Sequence, residues 1–243
     1  MSKYNYHEQT CDCYRSENYG WNTIYNSACG PASLCNALDA LGLGSYTVRE
    51  MCKFSVSVGA RVDGGTDMFR LLNKAGEKYG FTYRATSKNA ELLEHLKNGG
   101  AAILNNGEAY KLFSSGGHFV AAVHADGNTI TVLDSYWYSG KYTQTALRAN
   151  NVKVLERGVI QTSLEQCGKA TIDRDPSYYL ISPKKPKIKL TEDATIRKGA
   201  SKDSEKVGTA EIGDTYELLE ESMGGNWYRT KHGWVPAKKC KKV

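Results

Sequence analysis

The sequence predicts an α+β domain followed by a small all-β barrel. Three observations carry that prediction. Helical apolar spacing runs through residues 31–97, and strand-like runs take over from residue 101. The segment Ser182-Pro183-Lys184-Lys185-Pro186-Lys187 reads as a solvated linker, because two prolines exclude helix and interior strand. Beyond it, short β patterns alternate with glycines 199, 208, 213, 224, 225 and 233. The expected organisation is a first domain over 1–182, a linker over 183–186 and a barrel over 187–243.

The first helix is expected from Pro31 to Leu43, with apolar residues at 34, 37, 38 and 41 and a stop at Gly42. A second runs from Asp67 to Tyr79, with Met68, Leu71, Leu72 and Ala75 on one face and Gly80 after it. A third spans Asn89 to Lys97 and ends at Gly99-Gly100. Strands are expected at Ala101–Leu104, His118–His124, Thr129–Ser135 and Tyr178–Ile181. In the last segment they fall at 194–197, 207–210, 215–219, 227–230 and 233–235.

Composition narrows the function classes. The chain is 40% hydrophobic and 24% charged, as ordinary globular proteins are. No stretch approaches the ~18–20 apolar residues of a membrane span, so no membrane role is expected. The first twenty residues lack the apolar core of a secretory signal. The formal charge of +6 is uneven: residues 1–183 carry 18 Lys+Arg against 17 Asp+Glu, and residues 184–243 carry 14 against 9. A basic tail suits polyanions, but nothing interleaves it with a nucleic-acid motif, and no nucleic acid is expected. The seven cysteines have no regular spacing and are expected to be reduced. Cys11-x-Cys13 is not a paired CxxC arrangement, so no metal or other cofactor is expected.

Cys29 immediately precedes Gly30-Pro31 and the first helix, where unpaired N–H groups favour a thiolate. Gly30 would let a substrate backbone approach it. A nucleophilic thiol needs a base, and that base needs an orienting partner. His118 opens an apolar strand after Gly116-Gly117, and Asp134 closes the next one. Hairpin register decides whether they meet. A three-residue loop, Asp126-Gly127-Asn128, sets Val120 opposite Asp134 and puts the carboxylate on the face of His118. A two-residue loop would put them on opposite faces, and the turn chemistry allows either.

The run Cys29-Gly30-Pro31-Ala32-Ser33-Leu34, with Gly117-His118-Phe119-Val120 and Val132-Leu133-Asp134-Ser135, resembles the C39-like cysteine peptidases of the papain-like clan. The order Gln9, Tyr19-Gly20, Thr23-Ile24, Cys29 is similar to that family's N-terminal pattern, and the resemblance spans residues 4–180. It implies a papain-like fold, Cys29 as nucleophile, His118 as base and acid, Asp134 as its orienter, and Gln9 in the oxyanion hole. Two positions depart from the pattern: no aspartate stands at 11, and Ser135 replaces the usual proline. Thr195-Ile196-Arg197-Lys198-Gly199, Asn226-Trp227-Tyr228-Arg229 and His232-Gly233-Trp234-Val235 resemble bacterial SH3 modules. Tyr216, Trp227, Tyr228 and Trp234 are then the candidate wall-binding aromatics.

Together these resemblances imply a monomeric, endolysin-like peptidoglycan hydrolase of bacteria or their phages. It would be made in the cytoplasm, act at the cell wall after holin release, and meet anionic wall polymers as well as peptidoglycan. A leader-peptide or protein-processing peptidase is the alternative enzyme. An inert C39-like fold that only binds walls is the alternative non-enzyme.

Overall fold

Seven antiparallel strands frame the first unit in the computed structural model, which describes residues 4–243. They are β1 (Phe81–Thr86), β2 (Ala101–Asn106), β3 (His118–Asp126), β4 (Thr129–Leu133), β5 (Lys153–Glu156), β6 (Val159–Ser163) and β7 (Tyr178–Pro183). Their order across the sheet is β1-β7-β2-β3-β4-β6-β5. The central strands are buried on both faces, which is why they read as continuous apolar runs such as Ala101-Ala102-Ile103-Leu104. Ile103, Ala121, Leu133 and Ile181 pack in one cluster with helices α1 (Cys29–Ala40), α2 (Val48–Ser57) and α3 (Met68–Tyr79). Leu104, Val120, Val132 and Leu180 pack in the other, with α4 (Asn89–Lys97) and α6 (Leu164–Ala170). Between β4 and β5 lies a one-and-a-half-turn helix, α5 (Ala146–Asn151).

The helix ends follow local chemistry. Asp67 caps α3 by accepting the Arg70 N–H, and Gly80 closes it at φ +74°. Helix α1 begins two residues earlier than the position of Pro31 suggests, so Cys29 is its first residue. Helix α2 has no counterpart in the expected elements, although Thr47 and Glu50 form a reciprocal capping box at its start.

The β3–β4 hairpin reaches the favourable register by another route. Asp126 pairs with Thr129, so the loop has two residues, Gly127 and Asn128. That register alone would place His118 and Asp134 on opposite faces. A β-bulge at Val123, between the Ala122–Val132 and His124–Thr131 pairs, takes up one residue. Ala121 therefore lies opposite Leu133, and the next step brings Val120 opposite Asp134.

The chain divides into two compact units at Pro183/Lys184. Pro183, expected in the linker, is the last residue of β7 and lies opposite Phe81. Pro186 accepts a backbone bond from Leu218 within the second unit. That unit is β-rich: β8 (Lys187–Leu190), β9 (Ala194–Arg197), β10 (Lys206–Ala210), β11 (Thr215–Glu217), β12 (Glu220–Glu221), β13 (Trp227–Thr230), β14 (Gly233–Pro236) and β15 (Cys240–Lys242). They form two sheets, β11-β8-β15 and β10-β9-β14-β13-β12, around Ile188, Leu190, Ile196 and Val235. The hydrogen-bonded ladders do not close into the expected barrel. Among the described residues no helix is long and apolar enough to cross a membrane.

Candidate active site

Cys29 sits at the start of α1, half-buried; the first intrahelical bond is Ala32 N–H to Ala28 O at 2.9 Å, so the N–H groups of Cys29 and Gly30 lie outside the helical ladder and Pro31 has none. Ser33 of the same helix donates to the Phe119 carbonyl at 2.9 Å and pins α1 against β3 beside His118. The need for Gly30 is steric: a Cβ there would lie 2.8 Å from the Thr66 side chain and 3.1 Å from Met68 Sδ. Close packing against Thr66 therefore excludes a side chain at this position.

Three groups form a chain of hydrogen bonds. His118 Nε2 donates to Asp134 Oδ1 at 2.8 Å, which leaves Nδ1 for the Cys29 thiol, to which the imidazole is also hydrogen-bonded. Burial opposes ionisation of Cys29, but the imidazole and the backbone N–H groups of Phe119 and Gly30 outweigh it and hold the thiol below its ordinary pKa. Burial likewise disfavours the imidazolium, yet Asp134 and Cys29 hold His118 above its ordinary value. Both shifts run toward the thiolate–imidazolium pair, the nucleophilic form.

Asp134 is fully buried and accepts four hydrogen bonds. Oδ1 takes His118 and the Tyr136 N–H (3.1 Å), and Oδ2 takes Lys141 Nζ (2.5 Å) and the Tyr142 hydroxyl (2.5 Å). Burial would raise its pKa, but the Lys141 charge and His118 hold it far below the carboxylate range. Lys141, itself only 1% exposed, is held below its usual pKa by burial despite Asp134. Lys141 and Tyr142 are site residues the sequence reading lacked. Their signal was only a lysine between aromatics seven residues beyond Asp134.

Gln9 is buried with its amide orientation fixed. Ser135 Oγ donates to Oε1 at 3.0 Å, and Nε2 donates to the Tyr25 carbonyl at 3.1 Å, leaving one amide hydrogen free. The departure at Ser135 thereby acquires a role, since a proline could not anchor Gln9 in this way. Near Gln9, Cys11 and Cys13 are joined in a disulfide, which corrects the expectation of reduced thiols there. Their Cα atoms, 5.2 Å apart, lie within disulfide reach. The other five cysteines are free thiols. Tyr25, Tyr136 and Tyr138 form an edge-to-face row, and Tyr136 meets the His118 ring at 6.2 Å between centroids.

The four candidate wall-binding aromatics do not converge on one site. Tyr228 lies opposite Val235 and packs on the core of the second unit. Trp227 and Trp234 share the other face of the β13–β14 hairpin, where Trp234 pairs with Arg229. Trp227 lines a cleft with Arg197, Lys202 and Lys238. Tyr216 lies elsewhere, its hydroxyl on Asp214 and its ring against His232.

Several solved structures share similarity with the chain. A putative C39-like peptidase from Bacillus anthracis is 13% identical, with 74% of this chain and 95% of that chain covered and a TM-score of 0.47. A double glycine motif protease from an AMS/PCAT transporter, in complex with the leader peptide, is 17% identical over the same coverage, with a TM-score of 0.39. Ly7917, with the hydrolysing product of MDP, is 16% identical, with 87% of this chain and 93% of that chain covered and a TM-score of 0.27. No curated protein matches the chain. The model of the Peptidase_C39 like family matches residues 6–157 and takes in Gln9, Cys29, His118 and Asp134. The chain belongs to the C39-like peptidase family.

Proposed function

We propose that the chain is a peptidoglycan hydrolase in which Cys29 attacks a peptide or amide carbonyl of the wall. The observation that carries this reading is the thiol–imidazole–carboxylate chain on a half-open helix start, in one chain with a basic β-rich unit. The Cys29 thiolate adds to the carbonyl carbon, and the oxygen becomes an oxyanion. The Cys29 N–H and the free amide hydrogen of Gln9 would receive it. His118 then protonates the leaving nitrogen, and later removes a proton from the water that hydrolyses the acyl-enzyme. Asp134 keeps the ring oriented and supports its positive charge.

The second unit is read as an SH3b module that concentrates the enzyme at the wall. Its net charge of +5 and the half-exposed Trp227 and Trp234 support that reading. The same unit favours a wall substrate over a soluble leader peptide, which needs no such tether. Mass spectrometry of fragments released from purified Gram-positive walls tests the proposal. Wild-type protein should release peptides with a defined new terminus, and iodoacetamide or Cys29→Ala should abolish release. Release that survives Cys29→Ala overturns the mechanism.

A further inference from the structure

Beside His118 a cleft of about 460 Å³ opens between the loop preceding β3 and the segment following Asp134. Ser114 and Ser115 form one wall, Tyr136 links it to His118, and Lys111, Gln144 and Arg148 form the rest. No Asp or Glu lines it. Arg148 is only 6% exposed, and among the described residues no carboxylate pairs with it. Its Nε donates to the Lys111 carbonyl (3.2 Å) and one Nη1 hydrogen to the Lys141 carbonyl (3.3 Å). A guanidinium has five N–H groups, so three remain without a protein acceptor, and Arg148 lines the cleft. Gln144 accepts from Tyr138 through Oε1, which leaves its NH2 group as a further donor. Lys141 is committed to Asp134, whereas Lys111 is exposed and makes no ion pair among the described residues.

A buried cation beside a reaction centre, fixed by carbonyls and left without a counter-ion, is a site for an anion. We infer that this cleft binds a carboxylate of the substrate peptide, with Arg148 as the principal contact and Lys111 and Gln144 as supports. The substrate class becomes an acidic peptide. This inference rests on the proposed Cys29 chemistry, which it refines.

The test uses full-length Cys29→Ala protein titrated with the stem peptide L-Ala-γ-D-Glu-L-Lys-D-Ala-D-Ala and with the same peptide fully amidated at its carboxylates. The free acid should bind about tenfold or more tightly, as charge-assisted Arg–carboxylate bonds do. Arg148→Met should bring the two peptides within about threefold of each other, while Arg148→Lys retains part of the difference. Because Arg148 also holds two carbonyls, Lys111→Met supplies a substitution on the surface that leaves the fold alone. It should weaken only the free acid, by about two- to threefold. Equal binding of the two peptides, no binding of either, or an acid preference unchanged in both variants overturns the inference. Wall digestion by the wild type is measured in parallel. Cys29-dependent release without acid preference removes the cleft assignment alone, and acid preference without release removes the hydrolase reading.

Discussion

At the scale of single residues, Asp134 stands between two cations with opposite effects on the reaction. It stabilises the His118 imidazolium, and Lys141 draws on the same carboxylate. Activity should follow a bell-shaped pH profile whose limbs belong to the coupled pair, rising as the thiol ionises and falling as the imidazolium loses its proton. Asp134→Asn should move the falling limb of kcat/KM to lower pH and cut the rate by about 10²-fold or more. Lys141→Met should move that limb to higher pH, because it removes a positive charge near the ring. It should also cost about 3–5 kcal/mol of stability by leaving a buried carboxylate short of a partner. Stopped-flow pH profiles and thermal melts of the two variants check both signs. The same carboxylate links stability to acid. Its folded pKa is depressed, so its contribution is present above the ordinary 3.8 and is lost as pH falls through the folded value. Cys29 and His118 could be picked out as candidates from their neighbouring residues, whereas the reach of Asp134 to His118 was left to a hairpin register that the sequence did not decide. Lys141 was not legible, because nothing local distinguishes a buried, paired lysine from a solvated one.

At the scale of elements, the site depends on how α1 begins and how β3 runs. Gly30→Ala would force a Cβ to 2.8 Å from Thr66. It should destabilise the protein by about 1–3 kcal/mol, and lower Tm by about 2–4 °C for each of them. It should also displace Cys29 and slow alkylation of its thiol by iodoacetamide; an unchanged alkylation rate would refute that coupling. Helices α3 and α4 were readable from apolar spacing and flanking glycines. Helix α2 was missed although its Thr47…Glu50 capping box is a local signal, because its buried row of Val48, Met51, Cys52 and Ser55 is only partly apolar. The bulge at Val123 left no such mark. A β-bulge is chosen by tertiary packing on both faces of a strand, and a sequence that alternates less than perfectly does not say where the extra residue goes.

At the scale of the whole molecule, two units of different character share one chain. On the proposed wall-anchoring role, residues 1–183 should cleave soluble muropeptides as the full chain does but clear intact cells more slowly, because a tether that raises local concentration would be gone. A tagged 184–243 fragment should decorate walls at low salt and release as ionic strength shortens the Debye length from about 10 Å at 0.1 M to about 3 Å at 1 M. Turbidity assays and fluorescence microscopy read these outcomes; full-rate lysis by the truncated chain would remove the anchoring role. The position of β7 has a consequence for synthesis. The last strand of the first unit inserts between β1 and β2, so two interior edges stay open until residue 183 is made. The ribosome cannot release a finished catalytic half early. Synthesis of residues 184–243, 60 residues (243 − 183), at about 5–20 residues per second, takes roughly 3–12 s, in which the last strand can seat while the chain is still being made. The appended unit is thus also a delay, during which exposed sheet edges close before the chain is free to meet another copy of itself.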